Sequence, residues 1–248
     1  TLMRSSAASD VYKRQILFIS EKSDGVKNEE SDIPKSRQII YYGAPGTGKS
    51  HKIKEALGEY EDCPADKKVP KVNIFRTTFH PDSDYSTFVG AYKPTKGKRP
   101  LYGLFGKDTV RMKDGEDLFE DMITYKFVPQ AFLNAYIRAY QTDENVYLII
   151  EEINRGNCAQ IFGDLFQLLD RDENGISEYT IKADADLKSF LEEELGEDNP
   201  GIKDGELCLP SNLYIYATMN TSDQSLFPID SAFKRRWDWA VSYTHLTL

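Results

Sequence analysis

Four near-continuous apolar runs constrain this chain more than anything else in it: QIIYYG at 38–43, VNIFRTTF at 72–79, VYLII at 146–150 and NLYIYATMN at 212–220. Each has the length of a strand, and none approaches the roughly 18 apolar residues that a membrane helix needs. Helical stretches separate them. In HKIKEALGEY, Ile53, Ala56, Leu57 and Tyr60 fall on one helical face, and in VPQAFLNAYIRAY the stripe is Phe132, Leu133, Tyr136, Ile137 and Tyr140. After the third run, Asn157 and Gln160 have capping-box spacing ahead of Ile161, Leu165, Leu168 and Leu169, and WDWAV offers a fifth strand. Apolar strands alternating with amphipathic helices predict a three-layer α/β domain whose parallel sheet is covered on both faces.

Composition agrees with one such domain, since 248 residues with 40% hydrophobic and 12% aromatic side chains supply an ample core. Cys63, Cys158 and Cys208 are far apart without CxxC spacing, and His51, His80 and His245 are equally scattered. The expectation is a soluble cytoplasmic protein without a membrane association, in which any metal arrives with a nucleotide. A net charge of -9 argues against a dedicated DNA-binding surface. The local exception, YKPTKGKRPLYGLFGKDTVRMK, carries Lys93, Lys96, Lys98, Arg99, Lys107, Arg111 and Lys113. It reads as a solvated loop or hairpin, or else as a surface that touches nucleic acid or an acidic partner.

Neither end matches the periodicity beside it. Residues 1–15 and 241–248 resemble translated adaptor sequence, 16–37 reads as a polar linker, and the domain is expected to run from 38 to 240.

The first strand leads directly into GAPGTGKS, residues Gly43, Ala44, Pro45, Gly46, Thr47, Gly48, Lys49 and Ser50, which matches G-x-x-x-x-G-K-[ST] in full. Glycines let the backbone turn so that N–H groups converge on an anion at the positive end of the following helix. Lys49 is then expected to reach the β and γ phosphates of a nucleotide, and Ser50 to ligate Mg²⁺. Glu151 and Glu152 close the third strand, where an acidic pair near the metal is required; Glu151 is assigned to the metal and Glu152 to polarising the attacking water. Glu151 stands where Asp is usual, one methylene longer, so it is expected to act through a metal-bound water or from a retracted strand end. In MNTSDQSLFPIDSAFKRRW, Asn220 ends a strand that would neighbour the first, so its amide would reach the γ phosphate or the lytic water, with Asp223 three residues on. Arg235 and Arg236 follow a short helical segment; such a basic run is either a solvated face or, in an oligomer, a source of guanidinium for a neighbour's site.

Together these segments resemble the AAA+ NTPases of the McrB branch. The likeness rests on GAPGTGKS, FHPDSDYSTFVGAYKP, LIIEEINRGNCAQIFGDLFQLLDR and NLYIYATMNTSDQSLFPIDSAFKRRW, in family order from about 38 to 240. It implies a P-loop NTPase core, phosphate binding by Gly43–Ser50 with Asp223 nearby, catalysis by Glu152, a sensor role for Asn220 and trans-acting Arg235 or Arg236. It also implies GTP or ATP with Mg²⁺, a hexameric ring, a McrC-like endonuclease partner, and DNA engaged through another domain or that partner. The sequence departs from the pattern at Glu151, at Ser222 where alanine is usual, and in lacking the helical lid expected after the last strand. The alternatives are a nucleotide-gated binding or chaperone-type module with little turnover and, further off, a small-molecule kinase.

Overall fold

A computed structural model of the protein describes residues 36–103, 106, 108–221 and 227–242. In chain order the elements are β1 (Gln38–Gly43), α1 (Lys49–Ala56), β2 (Ile74–Thr78), α2 (Tyr85–Phe88), β3 (Gly90–Pro100), β4 (Phe119–Pro129), α3 (Ala131–Tyr140) and β5 (Val146–Glu151). They continue as α4 (Cys158–Phe162), β6 (Ile181–Lys182), α5 (Ala185–Leu195), β7 (Glu206–Leu207), β8 (Leu213–Asn220), α6 (Ser231–Lys234) and β9 (Asp238–Val241). No helix among the described residues is long and apolar enough to cross a membrane.

The main sheet has five strands in the order β2-β5-β8-β1-β9, and every pairing is parallel. Alternate residues on each strand enter opposite layers. Ile39, Tyr41, Tyr147, Ile149, Tyr214 and Tyr216 pack on one face with Ile53 of α1 and with Leu57, which caps its C-terminus. Ile40, Leu148, Ile150, Ile215 and Ala217 pack on the other with Phe132, Leu133 and Tyr136 of α3 and with Ile161, Leu165, Leu168 and Leu169. Both faces are therefore dry, which is why the strands read as continuous apolar runs. The expected three-layer α/β architecture is the one observed.

Three local readings are corrected. Helix α1 stops at Ala56 because Gly58 takes φ +64°, so Tyr60 leaves the buried face, is 38% exposed and lies against the ring of His51 at 4.9 Å. The run after Asn157 is not one helix. Asn157 does accept from the Gln160 N–H, but Gly163 adopts φ 49°, ψ -130°, and the chain continues as a 3-10 segment over Gly163–Leu169. The domain also runs past 240: Val241 ends β9, and buried Ser242 donates from Oγ to the Thr47 carbonyl at 2.6 Å.

The first part of the basic stretch, residues 92–100, lies in an antiparallel ribbon, β3 against β4, paired from Gly90↔Pro129 to Pro100↔Phe119; Arg111 and Lys113 fall in the connection between the two strands. At its base Phe127 stacks on Phe190 of α5 with ring centroids 4.7 Å apart; farther out, Phe119, Ile123 and Tyr125 are exposed. Lys107 lies outside the described residues.

Because α1 packs through few residues, its anchor should be sensitive. Ile53 is fully buried, and truncation to alanine in such a position costs about 2–5 kcal/mol. Denaturant unfolding of Ile53→Ala should show that loss, and a cost below about 1 kcal/mol would contradict the packing of α1 described here.

Candidate nucleotide site

In a parallel sheet the carboxyl ends of all strands lie along one edge, and ligands bind there. β8 pairs with β1 on one side and β5 on the other, so the loop after Gly43, the acids after Ile150 and the end of β8 meet at one place. Gly43 is directly opposite Asn220 in the register.

The loop between β1 and α1 turns through two left-handed glycines, Gly46 at φ +79° and Gly48 at φ +75°. Gly43 is required for a different reason. A Cβ there would lie 2.5 Å from the Ser242 carbonyl oxygen and 2.9 Å from Thr47 Oγ1. Gly48 caps α1 without any side-chain hydrogen bond, and no acidic residue occupies the first turn. The first N–H groups of α1 are thus left for an anion, at the end where the helix dipole favours one. Lys49 is buried, and its Nζ donates to the carbonyls of Gly43 at 3.2 Å and Ala44 at 2.8 Å. Burial lowers its pKa from the usual lysine range, while Glu152 and Glu151 pull it back up.

Glu151 is held on both oxygens. Oε2 accepts from Ser50 Oγ at 2.8 Å and from Thr218 Oγ1 at 2.6 Å, and Oε1 accepts from Arg76 at 3.3 Å. Arg76 also pairs with Glu59. Since Ser50 gives its proton to Glu151, the lone pairs of its oxygen remain for a cation, with the carboxylate behind it. Hard oxygen donors of this kind fit Mg²⁺, so the residues present suit the metal expected with a nucleotide.

Glu152 takes φ 57°, ψ 46°, a left-handed conformation uncommon for a side chain with a Cβ. Its N–H donates to Thr218 Oγ1 at 3.0 Å, and its carboxylate accepts from Asn220 Nδ2 on both oxygens, at 2.5 and 2.6 Å. Asn154 holds Asn220 from behind, donating from Nδ2 to its carbonyl at 2.8 Å, while the Asn154 carbonyl accepts from the N–H of Phe227.

The structure therefore brings Gly43–Ser50, Glu151, Glu152 and Asn220 together. Ser222 and Asp223 lie outside the described residues. The two arginines part company. Arg236 turns inward, with its side chain 7% exposed: it pairs with Asp170 at 2.5 Å, donates to the Ala232 carbonyl and sits 3.9 Å over the Phe166 ring. Arg235 is exposed. Both precede Asp238, which pairs with Ile39 near the start of β1, so they stand at the opposite edge of the sheet from the phosphate loop. Thr218, Arg76 and Asn154 were not singled out from sequence. Only the strand assignments for 72–79 and 212–220 and the EINRGN segment hinted at them.

With this geometry established, relatives can be compared. Residues 38–237 match the AAA domain family, dynein-related subfamily. The chain belongs to that family. It is 42% identical over 230 residues to YdiS, a component of the Type II restriction enzyme BsuMI of Bacillus subtilis (strain 168), covering 90% of this chain and 62% of that protein. It is 28% identical over 223 residues to the EcoKMcrB subunit, of a Type IV methyl-directed restriction enzyme of Escherichia coli (strain K12), covering 90% of this chain and 38% of that protein. The chain thus spans less than two thirds of the length of either relative. It is a P-loop NTPase, an AAA+ protein of McrB type.

Lys49 is the cation within the phosphate loop, and a charge-assisted hydrogen bond contributes about 1.5–3 kcal/mol. Lys49→Ala should therefore weaken triphosphate binding by about 10- to 100-fold in a fluorescence titration. Unchanged affinity would remove Lys49 from the site.

Proposed function

We propose that this AAA+ domain hydrolyses GTP or ATP as one subunit of an oligomeric ring, and that the ring serves as the motor of a restriction system. The observation that carries this reading is the convergence of Lys49, Ser50, Glu151, Glu152 and Asn220 at the ends of three adjacent parallel strands. The restriction setting draws on the names of the two relatives. A McrC-like endonuclease partner, and DNA engaged through that partner or another domain, are proposed on the resemblance of the sequence motifs to the McrB branch.

In this reading the N–H groups of the loop and Lys49 bind the phosphates. Ser50, backed by Glu151, would hold Mg²⁺, which when bound offsets charge on the phosphate oxygens. Glu152 takes the proton of the attacking water as its oxygen bonds to the γ phosphorus, and the bond to the diphosphate leaving group breaks. Asn220 fixes the direction of the Glu152 carboxylate.

A ring is favoured by where Arg235 sits. β1 has six residues at about 3.3 Å each, so its length separates Arg235 from the phosphate loop of its own chain. A neighbouring subunit is the site Arg235 can serve. Arginines of this kind contribute about 10³- to 10⁵-fold to turnover.

A second reading, a nucleotide-gated binding module with little turnover, draws on the clamp in which Asn220 occupies both oxygens of Glu152. The two separate on Glu152→Gln in the full chain. A motor loses about 10²- to 10⁴-fold in kcat while retaining nucleotide, and a gate hardly changes.

The arginines give an independent check. Arg235→Ala should abolish most turnover with little change in Tm. Arg236→Ala should instead lower Tm, because breaking a largely buried pair costs about 3–5 kcal/mol. Mixing Arg235→Ala with Glu152→Gln subunits should restore part of the activity, since some interfaces then combine an intact acid with an intact arginine. No recovery, together with a specific activity independent of protein concentration, would count against a shared site.

A further inference from the structure

We propose that Thr218 is a positioning residue for hydrolysis, a group that sets Glu151 and Glu152 in register with each other. This rests on the roles proposed above for the two acids.

Adjacent residues on a straight strand point to opposite faces. Glu151 continues the series Tyr147, Ile149, which faces α1, so Glu152 would be directed into the other layer. The left-handed turn at Glu152 cancels that alternation. Both carboxylates then meet β8 residues that are two apart and share one face: Glu151 meets Thr218, and Glu152 meets Asn220. Tyr214 and Tyr216 occupy the same face of β8 lower down.

Thr218 sits at the junction. Its side chain is a hydroxyl with one proton, and that proton goes to Glu151 Oε2 at 2.6 Å. The remaining lone pairs accept the N–H of Glu152 at 3.0 Å. One oxygen atom therefore fixes the rotamer of the acid behind Ser50 and, at the same time, the backbone reversal that delivers the next acid to Asn220. Thr218 is 2% exposed, so water does not replace it. Valine has the same shape and can make neither bond. Serine can make both.

The test compares Thr218→Val and Thr218→Ser in the full chain, with Glu152→Gln as reference. Two quantities are read: steady-state kcat and KM, and the Mg²⁺ concentration that half-maximally promotes binding of a fluorescent triphosphate analogue. Removing groups that orient a metal ligand typically costs about 10- to 100-fold. Thr218→Val is expected to lose that much in kcat and to need several-fold more Mg²⁺, with the analogue's affinity at saturating Mg²⁺ unchanged. Thr218→Ser is expected to restore both. Loss in Val and Ser alike would mean that shape, not the hydroxyl, matters, and would overturn the proposal. Full activity and unchanged Mg²⁺ dependence in Thr218→Val, beside an inactive Glu152→Gln, would overturn it while leaving the reading of the site intact. An active Glu152→Gln would instead remove that reading. Should Thr218→Val fail to fold, Thr218→Cys, a poor hydrogen-bonding group of similar size, is judged by the same two outcomes.

Discussion

Strand β8 has a dry layer on each face and a hydrogen-bonded strand at each edge, and the register this enforces decides where every polar group of the site ends up. Tyr214 and Tyr216 fill the layer under α1, while Leu213, Ile215, Ala217 and Met219 fill the other. A slip of one residue would exchange those sets and carry Thr218 and Asn220 to the wrong face. Because β8 separates β1 from β5, the phosphate loop and the acidic pair do not touch through their own strands. They are joined by side chains that reach across or along the end of β8: Ser50 to Glu151, Thr218 to Glu151, and Asn220 to Glu152. The hydrophobic layers thus hold the chemistry in place from a distance of one or two residues.

Much of this was legible in the sequence. Gly43–Ser50 announced a phosphate loop because glycine takes the left-handed turns at 46 and 48 without the steric cost a Cβ would add. Glu151, Glu152 and Asn220 announced themselves by ending apolar strands. What sequence did not carry was conformation that depends on distant residues. The left-handed backbone at Glu152 is stabilised by Thr218, 66 residues away, and nothing in the string EEINRGN requires it. Arg235 and Arg236 are identical neighbours, and only the position of Asp170 and Phe166 makes one of them internal. The helix expected after Asn157 breaks at Gly163, and the helix after Ser50 ends before Tyr60, because a glycine inside an amphipathic pattern gives no local warning of a positive φ. The extra methylene of Glu151 falls between these cases. Sequence suggested an indirect hold on the metal, and the structure shows the carboxylate held by Ser50, Thr218 and Arg76.

The two layers around the sheet are unequal. One face is covered by α3, α4, the 3-10 segment after it and α6, with α5 packed against them. The other, among the described residues, relies on α1, an eight-residue helix anchored through Ile53 and Leu57. That same helix begins at Lys49, where an anion would bind. A ligand that pairs with the first turn of α1 consequently holds down the thinner side of the core. By thermodynamic linkage, a ligand at 100 times its Kd adds about 2.7 kcal/mol to the folded state. The lightest part of the scaffold and the phosphate site are one element, so the fold's resistance to opening on that side becomes a gauge of how full the site is.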